Sequence, residues 1–257
     1  MDLVILGSGN VATCMSLAFF KAGHRIAAVW SRNIANSTRL AEQLNAKSCE
    51  NISELPAAEA YVICVSDDAI ASVAEKLEDL PPDALVMHTA GSVPMNVLNK
   101  VSCRRGVIYP MQTFTKVTHV NMDEVPIFVE GSDKVTLEIV KELAKSISGR
   151  VKCMDSEKRA RLHLAAVFAC NFANHCFTLA NKELETCGEN FSILLPLLDE
   201  TLKKVHYIKP QIAQTGPAVR GDYNILKKHE MLIDDELTRE IYRSMSQSIR
   251  KNSNDKL

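Results

Sequence analysis

Met1-Asp2-Leu3-Val4-Ile5-Leu6, followed at once by Gly7-Ser8-Gly9-Asn10-Val11-Ala12, opens the chain. The first six residues form a short, largely apolar run with β-branched members, the pattern of a buried parallel strand. The run breaks into Gly-x-Gly-x-x-Ala, after which Met15, Leu17, Ala18 and Phe19 follow a helical spacing. Strand, glycine turn and helix in this order make up a dinucleotide-binding fingerprint. Gly7 permits the tight turn, Gly9 lets the backbone approach a pyrophosphate, and Ala12 keeps the helix close to the strand. The helix N-terminus then offers unpaired N–H groups and a positive dipole end to the phosphates. Gly7, Ser8, Gly9, Asn10 and Val11 are the expected cofactor contacts of this loop. The competing reading is a strand–helix turn with no ligand.

The next element, Arg25-Ile26-Ala27-Ala28-Val29-Trp30, reads as a second strand, and the residues after it bear on cofactor choice. A site for NAD places Asp or Glu here to hold the ribose 2′-hydroxyl. This chain has Ser31-Arg32-Asn33 and no acid. A guanidinium can pair with a 2′-phosphate and stack on adenine, while Ser31 and Asn33 add neutral donors. NADP (NADPH) is therefore expected over NAD, with Ser31 and Arg32 as contacts. A solvated loop arginine is the alternative.

Further strands are expected at 60–65, 84–87, 106–108, 125–131 and 150–154, separated mostly by helices, which gives six or seven in all. Pro126 suggests that the 125–131 strand lies at an edge. Small polar residues follow several strands: Ser66-Asp67 after Val65, and His88-Thr89-Ala90-Gly91-Ser92. Ligands of open parallel sheets bind at that end. Val65, Ser66 and Asp67 are thus further candidate cofactor contacts, and Ser92 and Gln112 candidate substrate contacts. Loops and helix caps use the same residue types, and that reading stays open for each residue.

At 257 residues the chain suits one large domain or two modest ones. A formal net charge of −1 gives no basic footprint for nucleic acid and no polybasic membrane patch. Eight cysteines are scattered without a C-x-x-C pair or metal-ligand spacing, as expected for reduced core thiols in a cytoplasmic protein. No metal is expected.

Beyond Met154 the strand pattern ends, so the expected division is a nucleotide-binding domain at 1–154 and a helical domain at 155–257. Leu162 to Asn181 carries no Asp, Glu, Lys or Arg. That length would allow a membrane span, but His163, Asn171, Asn174, His175 and Asn181 argue against lipid exposure. A helix this uncharged is expected to be buried along most of its circumference. At uniform helical spacing Arg159, His163, Val167, Asn171, Asn174 and Thr178 share one stripe. Buried polar groups need partners. Either a dimer seam or a substrate could supply them. Further on, Gln214 to Asp222 is a shaped loop in which Asp222 is a natural N-cap and Arg220 faces an anion, either a substrate carboxylate or a buried acid.

Several motifs together resemble one family. They are Gly7-Ser8-Gly9-Asn10-Val11-Ala12, Ser31-Arg32, Asp67-Asp68-Ala69-Ile70, His88 to Ser92 and Pro110-Met111-Gln112-Thr113-Phe114 in the N-terminal half. In the C-terminal half they are His163 to Phe168 with Asn171-Phe172, then Thr215-Gly216-Pro217 through Asp222, with His229. The chain is similar to Rossmann-like proteins with an uncharacterised C-terminal helical domain (domain of unknown function 2520). These are relatives of pyrroline-5-carboxylate reductases and of coenzyme F420-dependent NADP oxidoreductases. The resemblance implies a Rossmann-type doubly wound parallel α/β sheet, NADP as cofactor, and an all-α second domain that helps build a homodimer. Tyr109 departs from the pattern, since the family often has His before the Pro-x-Gln-Thr-Phe segment. A proton-transfer role held there by His would be weakened or pass to Tyr109.

The expected function is NADP-dependent oxidation or reduction of a small carbonyl, imine or hydroxy-acid substrate in a cleft between the domains. His163 would act as general acid/base. Asn171 would orient His163 or the substrate, Arg220 would clamp a carboxylate, and Asn174 would add a substrate contact. The alternative is a non-catalytic NADP-binding dimer acting as a redox or nucleotide sensor. A methyltransferase is disfavoured, because its sheet also places an acid after the second strand.

Overall fold

A computed structural model describes residues 1–77, 79–115 and 120–254. The chain divides into two compact units, Met1–Cys170 and Asn171–Leu257.

The first unit begins with β1 (Asp2–Leu6), α1 (Asn10–Lys21), β2 (Arg25–Trp30), α2 (Ile34–Gln43) and β3 (Lys47–Cys49). It continues with β4 (Ala60–Ile63), α3 (Ile70–Ala74), β5 (Leu85–His88), β6 (Arg104–Pro110), β7 (Ile127–Gly131), α4 (Lys134–Lys145), β8 (Val151–Cys153) and α5 (Ser156–Ala166). One eight-stranded sheet results, in the order β3-β2-β1-β4-β5-β6-β7-β8. Reversal of the strand order about β1 and β4 is the mark of the doubly wound fold and leaves a crevice at their carboxyl ends.

Period-two alternation divides the central strands between two cores. Leu3 and Ile5 of β1 face Met15 and Phe19 of α1 on one side. Val4 and Leu6 join Tyr61, Ile63 and Ile70 on the other. Strands covered on both faces read as continuous apolar runs, which is why β1 and β4 are so visible in the sequence.

Three expectations about the sheet need correction. β3 adds an eighth strand, and its Lys47-Ser48-Cys49 has no apolar pattern to announce it. β6 and β7 pair antiparallel. A parallel pairing needs a crossover, usually a helix, and the described residues of this connection contain only the short turn Met122–Glu124. Nor is β7 an edge strand, since it pairs with β8 as well. Pro126 lies just before the strand, where its missing N–H costs no ladder bond.

The strands end near the expected boundary at 154, but the first compact unit runs on to Cys170. Its last helix is tied to the sheet, with Leu162 packed against Val107, Tyr109 and Phe128. From Ser156 the chain stays helical to Thr186, 31 residues long and apolar enough to cross a membrane by length and composition alone. It is not buried within the chain as its composition suggests: Leu164, Phe168, Phe172 and Phe177 are exposed. Residues Val167–Phe172 are π-helical. A π turn takes up an extra residue, so the uniform spacing that puts Arg159 through Thr178 on one stripe is interrupted.

The second unit contains α6 (Ala173–Thr186), α7 (Leu195–Val205), α8 (Pro210–Ala213), α9 (Pro217–Arg220), α10 (Tyr223–Leu232) and α11 (Glu236–Asn254). Its buried apolar side chains are Ala218, Leu226 and Ile233 among the described residues. A cavity of about 250 Å³ lies between α6 and α11, lined by Cys176, Leu179, Ile241 and Met245.

Candidate active site

Gly7 stands where β1 turns into α1, with φ at +132°. A Cβ there would lie 2.2 Å from the Cys64 carbonyl oxygen at the end of β4. Only glycine allows the two strand ends this approach. At Gly9 the reverse holds: a Cβ would meet nothing within 4 Å. Gly9 is the N-cap of α1 and contributes no side chain to its free N–H groups, and the first turn holds no acid. This is the open, donor-lined mouth that a pyrophosphate needs.

The neighbouring loops are tied to this turn. Ser8 Oγ donates to Ser31 Oγ at 2.8 Å, joining the turn to the end of β2. Asn10 Nδ2 donates to the Phe114 carbonyl at 2.9 Å, fixing the segment after β6. Val11, half-buried, packs against the core. The Asn33 side chain caps α2, its Oδ1 accepting from Asn36 N–H at 3.3 Å, which engages the amide oxygen and not its N–H donors. Arg32 is exposed and has no hydrogen bond or ion pair among the described residues.

After β4, Val65 is half-buried and Ser66 and Asp67 are exposed. Ser92 Oγ donates to the Asp67 carboxylate, linking the loops after β4 and β5. Gln112, after β6, is exposed and turned back on Thr113, whose N–H it accepts at 2.8 Å. His88 and Thr89 are buried rather than facing a cleft. The His88 Nδ1 accepts from Ala90 N–H at 3.2 Å, and its Nε2 has no hydrogen bond of good geometry. Burial lowers the His88 pKa to about 4; the Arg159 cation adds to this, while the Pro94 backbone and Asp67 oppose it.

His163, on α5, meets Tyr109 at the carboxyl end of β6. The Tyr109 hydroxyl lies 3.3 Å from His163 Nδ1, with the rings edge-to-face at 6.0 Å between centroids. Gly91 makes room for both: a Cβ there would lie 2.7 Å from Tyr109 Cζ and 2.8 Å from His163 Nδ1. Burial raises the Tyr109 pKa, with Asp67 adding to the effect. The phenol is thus protonated at neutral pH, and the pair can hold and pass one proton.

Gly7, Ser8, Ser31, Val65, Ser66, Asp67, Ser92, Tyr109 and His163 all belong to the first unit: the first seven lie in loops after β1, β2, β4 and β5, Tyr109 at the end of β6 and His163 on α5. Asn171, Asn174 and Arg220 belong to the second. The Asn174 carbonyl accepts from Thr178 Oγ1 at 3.3 Å. Arg220 is exposed and pairs with Asp222 at 2.8 Å, so its anion is its own neighbour rather than a buried acid. Asp222 holds the N-cap position of α10 but makes no side-chain cap bond.

Glu130 and Arg159 were not legible as site residues. Arg159 is fully buried and its guanidinium pairs with Glu130. A carboxylate within the otherwise apolar Ile127-Phe128-Val129-Glu130 was the available signal. Among the described residues no three His, Cys, Asp or Glu side chains are placed to share a metal ion.

This sheet and this cradle define a dinucleotide-binding protein of the Rossmann type. Residues 2–91 match the coenzyme F420-dependent NADP oxidoreductase family, and residues 125–249 match the domain of unknown function 2520. A candidate NADP oxidoreductase from Bacteroides fragilis is 41% identical over 97% of this chain and 98% of its own, with a TM-score of 0.92. A Thermotoga maritima protein is 25% identical over 99% of both chains, with a TM-score of 0.72. A reductive aminase from Aspergillus terreus, solved with NADPH and ethyl-5-oxohexanoate, shares the fold at 18% identity over 99% and 94% of the chains, with a TM-score of 0.73. No curated protein matches the chain. It belongs to the NADP oxidoreductase family, with a coenzyme F420-dependent oxidoreductase-type N-terminal half joined to domain of unknown function 2520.

Proposed function

We propose that this protein is an NADPH-dependent reductase of a small carbonyl or imine compound, working in the opposite direction on a hydroxy acid or amine. The observation that carries this reading is the Tyr109–His163 contact over Gly91, on the edge of the sheet that also bears the glycine cradle. The residues present fit the cofactor. Gly9 leaves its approach open, the N-terminus of α1 has N–H groups to offer, and Arg32 is placed after β2 where a 2′-phosphate would be read.

When bound, NADPH supplies the hydride. The chain must then deliver one proton to the carbonyl oxygen or imine nitrogen. With the Tyr109 hydroxyl donating to Nδ1, the His163 imidazole carries its proton on Nε2 and points that atom away from Tyr109. Nε2–H is the donor; as it leaves, the Tyr109 hydroxyl proton passes to Nδ1 so that the imidazole stays neutral, and the phenolate is reprotonated from solvent before the next turnover. Ser92 and Gln112 are the substrate contacts nearest in sequence to this edge.

The protein acts as a cytoplasmic homodimer formed through its helical unit, without nucleic-acid or membrane partners. What supports the dimer is the exposed apolar side chains of that unit. Leu197, Tyr207, Ile212, Met231, Leu232 and Leu237 are each at least 64% exposed. Where such side chains adjoin, they mark an interaction surface.

The test is NADPH oxidation with a panel of small ketones, cyclic imines and 2-keto acids, comparing the wild type with His163→Ala. Turnover is expected to fall by roughly 10²–10⁴-fold in the variant, with NADPH affinity unchanged. Unchanged turnover would remove His163 from the mechanism. NADPH binding with no turnover across the panel would instead favour a nucleotide sensor.

A further inference from the structure

We propose that Arg159 is a positioning residue that sets the imidazole of His163 against Tyr109, acting through Glu130 and the loop after β5. This rests on the reading of His163 as the proton donor. Arg159 Nη1 pairs with the Glu130 carboxylate on β7. Its Nη2 donates to the Val93 carbonyl at 2.6 Å and to Ser156 Oγ at 3.2 Å. Ser156 Oγ donates in turn to Glu130 at 2.8 Å and accepts from Met95 N–H at 2.9 Å. The first turn of α5 is therefore bonded both to the sheet and to the loop that carries Gly91.

Helical spacing converts that anchorage into control of His163. Residues i and i+4 lie on one face of a helix, so His163 follows Arg159 by one turn on the side facing the sheet. Below it, Gly91 stands two residues before the Val93 carbonyl that Arg159 holds. One guanidinium thus fixes the helix bearing the imidazole and the loop forming its floor. With a Gly91 Cβ position only 2.8 Å from His163 Nδ1, there is little slack for either to drift.

The arrangement exceeds what helix anchorage alone requires. Leu162 already packs α5 on Val107, Tyr109 and Phe128. A buried ion pair carries a desolvation cost, and apolar substitutes of similar size often stabilise as well or better. Keeping a charge here defines a geometry more than it adds stability. Arg159 is also the charge that lies close enough to lower the pKa of His88 and to oppose the rise in that of Tyr109.

The experiment uses full-length protein labelled with ¹⁵N-histidine, with the His163 signals assigned by loss in His163→Asn. Long-range ¹H–¹⁵N spectra report the state of Nδ1 and Nε2 without cofactor or turnover. In the paired variant Arg159→Met/Glu130→Gln, which leaves no buried charge, the His163 signals should move to those of a free, tautomerically mixed imidazole. Turnover should fall by on the order of tenfold to a hundredfold, with NADPH affinity within about twofold. Arg159→Lys should recover part of both. Glu130→Gln alone, isosteric and able to accept from Ser156, provides the same readout should the paired variant fail to fold. Wild-type His163 signals in a folded variant would overturn the proposal. If His163→Ala leaves turnover intact, the catalytic reading falls, while the spectra still decide whether Arg159 sets the imidazole.

Discussion

The two units of this chain use apolar residues in opposite ways. In the sheet-bearing unit Leu3, Val4, Ile5 and Leu6 are all at 0% exposure, between helices of the same chain. In the helical unit only Ala218, Leu226 and Ile233 are buried apolar residues among those described, while Tyr207 and Met231 are 80% and 83% exposed. Hydrophobic content is thus a poor guide to what a segment is packed against. A sheet completes its core with its own crossover helices, whereas an open set of helices can leave its stripes for another surface.

The largest effect that would test this contrast belongs at Gly7. Gly7→Ala forces a Cβ against the Cys64 carbonyl at a positive φ, and should destabilise the protein by about 3–4 kcal/mol. Gly9→Ala, whose Cβ meets nothing, should cost only about 0.5–1 kcal/mol, as the poorer N-cap of α1, while weakening NADPH binding. Chemical denaturation and cofactor titration of both variants separate a packing role from a binding role. Equal stability losses would show that the loop is only a turn.

His88 gives a pH test of the same closely packed core. Its imidazole titrates at 6.5 when unfolded and at about 4 in the folded protein. As pH falls below 6.5 the unfolded chain takes up a proton that the native chain refuses. Stability should therefore drop progressively between pH 6.5 and 4, by about 3 kcal/mol at most. Above that window His88 adds no pH dependence. Urea midpoints measured across the range should lose this slope in His88→Leu, and a slope that persists would assign it to other groups.

For the helical unit, Met231→Asp with Leu232→Asp should leave a lone copy nearly unaffected, both sites being exposed. If a second copy covers them, association should weaken by roughly 2–4 kcal/mol, visible as a monomer in light scattering. A variant that stays dimeric would move the interface elsewhere. The smallest effect is expected at the exposed Arg32. Arg32→Ala should reduce the preference for NADPH over NADH by about tenfold, near 1.4 kcal/mol, and an unaltered preference would make Arg32 an ordinary solvated side chain.

Much of the sheet was legible because strands buried on both faces must be apolar throughout, and the glycine turn is a local demand on backbone geometry. β3 was not legible, since Lys47-Ser48-Cys49 is held by pairing with β2 rather than by its own composition. His163 stood out as a polar residue in an uncharged helix. The stripe drawn from it to Asn171 assumed uniform winding, and the π segment interrupts that winding.

By itself the sequence determined the fold class and, through its resemblance in local motifs, the family and its NADP cofactor, because each rests on short-range patterns: continuous apolar runs, glycine spacing and short motifs. Tertiary structure alone decided that Tyr109 meets His163 above Gly91, that Arg159 is buried against Glu130, and that His88 lies within the core. The Tyr109–His163 and Arg159–Glu130 contacts join residues 54 and 29 positions apart. Only the packing of α5 on the sheet brings them together, and no local pattern encodes it.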